Sequence, residues 1–170
     1  MKATATDIRQ YFESLLRTRP WKARLGVGSF LTLEFGRRIK NHGHVQGEWH
    51  LWIYLSSWVL LHGGRQLADS DSDRRVISVS IRRLENVPLN DVQFDHKSFK
   101  TTFVFDDFRL VVSPAHYLDD ADKQDHYWLL FMPNSEVLKV GPGGFQVERS
   151  EALGALEPGP VVASGRKFRD

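Results

Sequence analysis

Apolar residues at Ile8, Tyr11, Phe12, Leu15 and Leu16 follow the i, i+3, i+4, i+7, i+8 spacing of one helical stripe, with Arg9, Gln10, Glu13 and Ser14 opposite. The spacing predicts an amphipathic helix, opened by a Thr4/Asp7 capping box and ended by Pro20. From Ser29 the period changes to two. Leu31, Leu33 and Phe35 alternate with Phe30, Thr32 and Glu34, and Gly36 closes the run, so a half-buried strand is expected. Residues 37–47 read as a polar loop containing His42-Gly43-His44. A second alternation places Trp49, Leu51, Ile53 and Leu55 on one face of a strand and Glu48, His50, Trp52 and Tyr54 on the other. Ser56-Ser57 interrupts it as a bulge before Trp58 to Leu61 resumes, and Gly63-Gly64 turns the chain.

Asp69-Ser70-Asp71-Ser72-Asp73 reads as a loop entering a helix, because Ser and Asp oxygens accept from the free N–H groups of a helix start. Over 74–86 Val76, Ile77, Ser80, Ile81 and Leu84 make a helical stripe while Ile77, Val79 and Ile81 could equally alternate on a strand; the preceding start signal and the Asn86 stop favour a helix. After Pro88 come short strands at 89–95, 99–105, 108–112, 127–132, 137–140 and 145–148. They are separated by the turn residues Asp106-Asp107, Pro133-Asn134-Ser135 and Gly141-Pro142-Gly143-Gly144. Short links make neighbouring strands antiparallel, so the expected fold is α+β: a curved antiparallel sheet built as a meander, with the N-terminal helix and the second helix packed on it. Residues 1–150 form a single domain in this reading. From Ser150 the apolar period gives way to Gly, Pro, Ala and Ser, which predicts a loosely ordered tail over 151–170.

Composition narrows the classes. A chain of 170 residues with 41% hydrophobic and 12% aromatic residues can bury a substantial core, which excludes a mostly disordered or fibrous protein. No apolar run approaches the roughly 20 residues of a membrane-spanning helix, and the start lacks the apolar centre of a secretion signal, so cytoplasmic residence is expected. The absence of cysteine removes disulfides, thiol nucleophiles and thiolate metal sites. Net charge is only +2 but unevenly spread. Up to residue 40, nine basic residues (Lys2, Arg9, Arg17, Arg19, Lys22, Arg24, Arg37, Arg38 and Lys40) face Asp7, Glu13 and Glu34. Over 106–125 six aspartates (Asp106, Asp107, Asp119, Asp120, Asp122, Asp125) answer Arg109 and Lys123.

In a chain without cysteine, seven histidines are the available transition-metal ligands. His42 and His44, joined by Glu48 or His50, would give three ligands and an open position; the alternative is a solvated histidine loop. Asp69, Asp71 and Asp73 alternate like calcium ligands, yet Arg74 stands where the loop glycine belongs and Ser80 where the bidentate Glu belongs. Helix-start capping accounts for them without an ion. Gly26-Val27-Gly28 precedes a strand instead of opening a helix, and Gly141 to Gly144 sits between strands, so neither is a phosphate-binding fingerprint. No G-x-S-x-G elbow is present, and plentiful Ser, His and Asp do not by themselves define a triad. No catalytic residue and no cofactor is assigned.

Three surfaces remain. Glu48, His50, Trp52 and Tyr54 combine aromatics with charge in the manner of interaction hot spots, or else form a second buried side of the sheet. The acidic stretch with Asp119, Asp120 and Asp122 complements a basic partner. Arg17, Arg19, Trp21, Lys22 and Arg24 come nearest to a phosphate-neutralising cluster, without a recognised nucleic-acid signature. Gly28-Ser29-Phe30-Leu31, Trp49 to Tyr54 and Val140 to Gly144, spread over residues 25 to 150, resemble small single-domain bacterial proteins of unknown function, some of them immunity proteins found beside toxins. That resemblance implies a binding protein without chemistry of its own. The leading expectation is a protein-binding module, of immunity type or self-associating. A metal-dependent or hydrolytic enzyme using His42, His44 and His50, and nucleic-acid binding through the basic N-terminal segment, stand as alternatives.

Overall fold

The computed structural model describes residues 7–41, 43–115 and 126–150. Its strands, all paired antiparallel, form two sheets instead of the expected single one. The first has the order β1 (Lys22–Leu25), β2 (Leu31–Asn41), β3 (His44–Ile53), β9 (Trp128–Phe131), β10 (Glu136–Gly141) and β11 (Gly144–Arg149). The second has the order β5 (Arg65–Asp69), β4 (Ser56–His62), β8 (Phe108–Pro114), β7 (Thr101–Phe105) and β6 (Leu89–Phe94). Register makes the alternation two-dimensional: Ala23, Leu33, Leu51, Leu130, Leu138 and Val147 lie in one row across the first sheet, and Leu25, Leu31, Ile53, Trp128, Val140 and Phe145 in the next. Leu60, Leu110 and Phe103 continue the same core from the second sheet. The sheets are joined at their centre by Trp128, whose indole N–H donates to Thr101 Oγ1 at 2.9 Å while its ring meets Phe103 edge-on at 5.3 Å.

Ser56-Ser57, expected as a bulge, is instead the corner where the chain leaves the first sheet at Ile53 and enters the second. The polarity break is real; its meaning is a change of sheet. β1 and β5 went unpredicted, because each is a short edge strand with one fully buried residue, Ala23 and Ala68 respectively.

The helices occupy the flanks, not one face. The N-terminal stripe forms only α1 (Asp7–Gln10) followed by turns. Bonds from Phe12 N–H to Arg9 O (2.9 Å) and Leu15 N–H to Phe12 O (2.8 Å) tighten the segment, which ends at Arg17 with φ 71°. The stripe nevertheless does its work: Ile8, Phe12 and Leu15 are fully buried, and Phe12 sits edge-on to both Phe103 (5.9 Å) and Trp128 (5.8 Å), one from each sheet. Thr4 of the expected capping box lies outside the described residues. α2 (Arg74–Ile81), extended by a 3-10 turn at Arg82–Leu84, buries Ile77, Ser80, Ile81 and Leu84, leaves Val76 exposed, and ends before Asn86 in the left-handed region. It lies against β1 and β5, so it closes one open side of the sandwich. Arg74 holds the turn before β2 through the carbonyls of Gly26 and Gly28.

Asp73 precedes α2 without a side-chain cap bond. The expected helix-start capping by this aspartate run is thus not found; Asp69 instead shapes the turn before the helix, its carboxylate accepting from the Asp71 N–H (3.0 Å) and the Ser72 hydroxyl (2.9 Å). Residues 151–170 lie outside the described residues. No helix among the described residues is long and apolar enough to cross a membrane.

Candidate recognition surface

Residues 37–41 and 44–47, expected as part of a loop, are strand. Beyond Phe35 the β2–β3 pair continues as a ribbon, with Arg38 opposite Gly47, Ile39 opposite Gln46, Lys40 opposite Val45 and Asn41 opposite His44. Among the described residues β1 borders β2 only along Leu31–Glu34, and β9 borders β3 only along His50–Ile53. The ribbon therefore leaves the sheet as a free two-stranded arm. Six residues of β2, from Gly36 to Asn41, give it a length of about 20 Å.

Its root is a bulge, where the register shifts between Phe35 and Arg38. Gly36 takes φ +73°, and a Cβ there would stand 2.5 Å from Glu48 Oε1. At Gly47 a Cβ would meet Phe35 O at 2.5 Å and Phe35 N and Trp49 O at 2.7 Å, so only glycine lets the strands approach. Beneath the bulge, Glu34 is 5% and His50 7% exposed. The Glu34 carboxylate accepts from His50 Nδ1 at 2.7 Å through one oxygen and from the Gly47 N–H at 2.7 Å through the other. A buried carboxylate thus ties both strands of the arm to the sheet, which satisfies a backbone donor that the bulge would strand.

The arm's surface is basic and partly apolar. Arg37, Arg38, Lys40 and His44 are exposed, as are Ile39 (40%) and Val45 (42%), and no Asp or Glu occurs over 36–47. Glu48 at the root pairs with Arg37 at 2.9 Å, and that hydrogen bond holds its carboxyl below the usual carboxylate range. The Arg38 guanidinium lies 4.6 Å over the Trp21 ring.

The residues singled out from sequence are thereby redistributed. Glu48, His50 and Trp52 share the outer face of β3, with Tyr54 just beyond its end, in three different roles. Glu48 belongs to the arm's root and His50 to the buried pair. Trp52 and Tyr54 form a half-buried aromatic cluster with Phe30, with ring centroids 4.5 Å apart for Trp52–Tyr54 and 4.6 Å for Phe30–Tyr54. Asp119, Asp120, Asp122 and His42 lie outside the described residues. His44 and His50 are six residues apart along one strand, about 20 Å, so they cannot ligate one ion; no group of three metal-ligating side chains occurs among the described residues. The basic N-terminal set is dispersed as well. Arg24 pairs with Glu85, Arg19 donates to Asn86 O at 3.0 Å, Arg17 ends the first helical segment, and Lys22 lies opposite Glu34. Arg38 and Lys40, which carry the free cationic surface, were missed because a polar run beside two glycines reads as loop; Gly36 and Gly47 flanking an alternation of charged and apolar residues were the available signal.

His50 oriented by Glu34 is two thirds of a hydrolytic triad. Its Nε2 is buried without a hydrogen-bond partner, its ring packs on Phe131 at 5.5 Å, and no described hydroxyl bonds to it. That arrangement supports the strands more directly than it supports proton transfer to a substrate. A shallow cleft of about 170 Å³ at the β10–β11 turn is lined by His126, Lys139, Phe145 and glycine backbone. The Lys139 ammonium there is already committed to Glu148 at 2.6 Å, which leaves little positive charge for an anion.

No family model, curated protein or solved structure matches this chain. The functional reading rests on its own residues.

Proposed function

We propose that this protein is a non-catalytic binding module whose recognition element is the β2–β3 arm. The observation that carries the reading is an ordered ribbon, locked at its root by the Glu34–His50–Gly47 network, that exposes Ile39 and Val45 among cations instead of burying them. Among the described residues the extension touches the body only near its root, where Arg38 lies over Trp21, so it contributes little to the stability of the sandwich, and contact with a partner would account for its exposed Ile39 and Val45. The reading keeps the expectation of a binding protein and moves the contact from the Glu48-to-Tyr54 face to the arm. The arm offers basic complementarity, whereas the acidic Asp119-to-Asp125 stretch of the immunity-type expectation lies outside the described residues.

The test is native mass spectrometry of untagged protein recovered from its own cells, compared with an Arg38→Ala, Ile39→Ser, Lys40→Ala variant of unchanged melting temperature. A partner held at fixed stoichiometry by the wild type and absent from the variant is the expected result. A partner retained by the variant, or a bare chain in both preparations, overturns the assignment of the arm.

A further inference from the structure

We infer that the arm's ligand is duplex DNA, held by Arg38 and Lys40 on its phosphates with the ribbon in the major groove. The inference deepens the reading of the arm as recognition element and rests on it. Three features of the arm lead to this ligand. First, its ionic groups beyond the Arg37–Glu48 pair are all cationic: Arg38 and Lys40, with His44 near the turn and no acid over 36–47. Protein interfaces exclude charge from their centres, and lysine above all, whereas nucleic-acid interfaces concentrate it. Second, the dimensions agree. A free antiparallel ribbon about 20 Å long fits the B-form major groove, about 12 Å wide, which admits two strands.

Third, the register sorts the side chains by role. Arg38, Lys40 and Val45 share one face; Ile39, Gln46 and His44 share the other. The long cationic side chains reach from their face to the phosphate walls, while Gln46 and His44 present hydrogen-bonding groups, and Ile39 an apolar one, to base edges. Trp21 beneath Arg38 limits the freedom of that guanidinium before any ligand arrives, and the locked bulge fixes the direction of the ribbon.

The experiment is fluorescence anisotropy of a labelled duplex DNA titrated with the full chain between about 50 and 200 mM salt, the range over which phosphate contacts reveal themselves. Arg38→Ala, Lys40→Ala is compared with Arg65→Ala, Lys97→Ala, which removes the same charge from exposed positions away from the arm, one on β5 and one in the turn between β6 and β7. The expected result is wild-type binding whose log–log salt slope falls by about two in the arm variant and is unchanged in the control variant. A labelled duplex RNA, whose major groove is too deep and narrow for a ribbon, is expected to bind at least tenfold more weakly. Absence of DNA binding by the wild type, equal losses in both variants, or equal affinity for duplex RNA overturns the inference. If the arm still retains a partner from cells while duplex DNA is ignored, the DNA inference falls alone; if the arm variant keeps that partner, the recognition reading falls too.

Discussion

The two halves of β2 share one backbone geometry and opposite energetics. Over Leu31–Phe35 every second side chain enters a core shared with the second sheet, and Leu31, Leu33 and Phe35 are fully buried. From Arg38 onward the alternation persists, but among the described residues no strand of the second sheet covers either face, and Ile39 is exposed along with its charged neighbours. In the body, burial of apolar area holds the strands together. In the arm, backbone pairing carries the ribbon with little apolar burial, and it depends on a well-made root. The difference teaches that strand length and sandwich size were set independently, and that the excess length is surface.

The sharpest way to break the contrast is at its strong end. Phe12→Ala removes the ring that touches both sheets and is expected to cost about 3–5 kcal/mol in denaturant unfolding, whereas Ile39→Ser on the arm stays within about 0.5 kcal/mol. Comparable losses would mean that the arm is packed after all. Next in size is the junction. Glu34→Ala strands the Gly47 N–H and the His50 Nδ1–H in a buried site and is expected to cost about 3 kcal/mol, with faster amide exchange along 36–47. Glu34→Gln keeps one acceptor oxygen and should recover part of that loss; full recovery would show that the charge is dispensable. The smallest effect belongs to Asp69, whose pKa is lowered chiefly by the Ser72 hydroxyl bond. A depressed folded value means that its contribution is fully present above the ordinary aspartate range and is lost as pH falls through the lowered value. Melting curves of wild type and Asp69→Asn, which differ near neutrality, should therefore draw together as pH falls from about 4 and meet only below the lowered value.

Much of the fold was legible. The six strands after Pro88 stand where alternation and turn chemistry put them, because a half-buried strand and a tight turn are both local. The second helix was legible from its stripe and from Asn86, which takes φ 64° at the stop. The first helix was legible as a buried stripe and not as a length, since tertiary packing of Phe12 and Leu15 tightened it into turns. The proposed recognition surface was largely illegible. His50 looked like a ligand or a contact residue until Glu34, sixteen positions away, supplied its partner. The arm looked like a loop because exposed ribbon and exposed loop carry the same polar composition.

Periodicity, turn residues and apolar content by themselves determined an α+β chain of antiparallel strands and the identity of most core residues, and the lack of cysteine removed thiol chemistry. Only the tertiary structure decided that a second sheet, not a helix layer, covers the first, that Ser56 marks a corner, and that Arg38 and Lys40 stand on a free arm while Arg24 is spent on Glu85. The physical reason is that alternation reports which side of a strand avoids water but is silent on what excludes it. Whether a cation is free or paired depends on contacts between residues far apart in the chain.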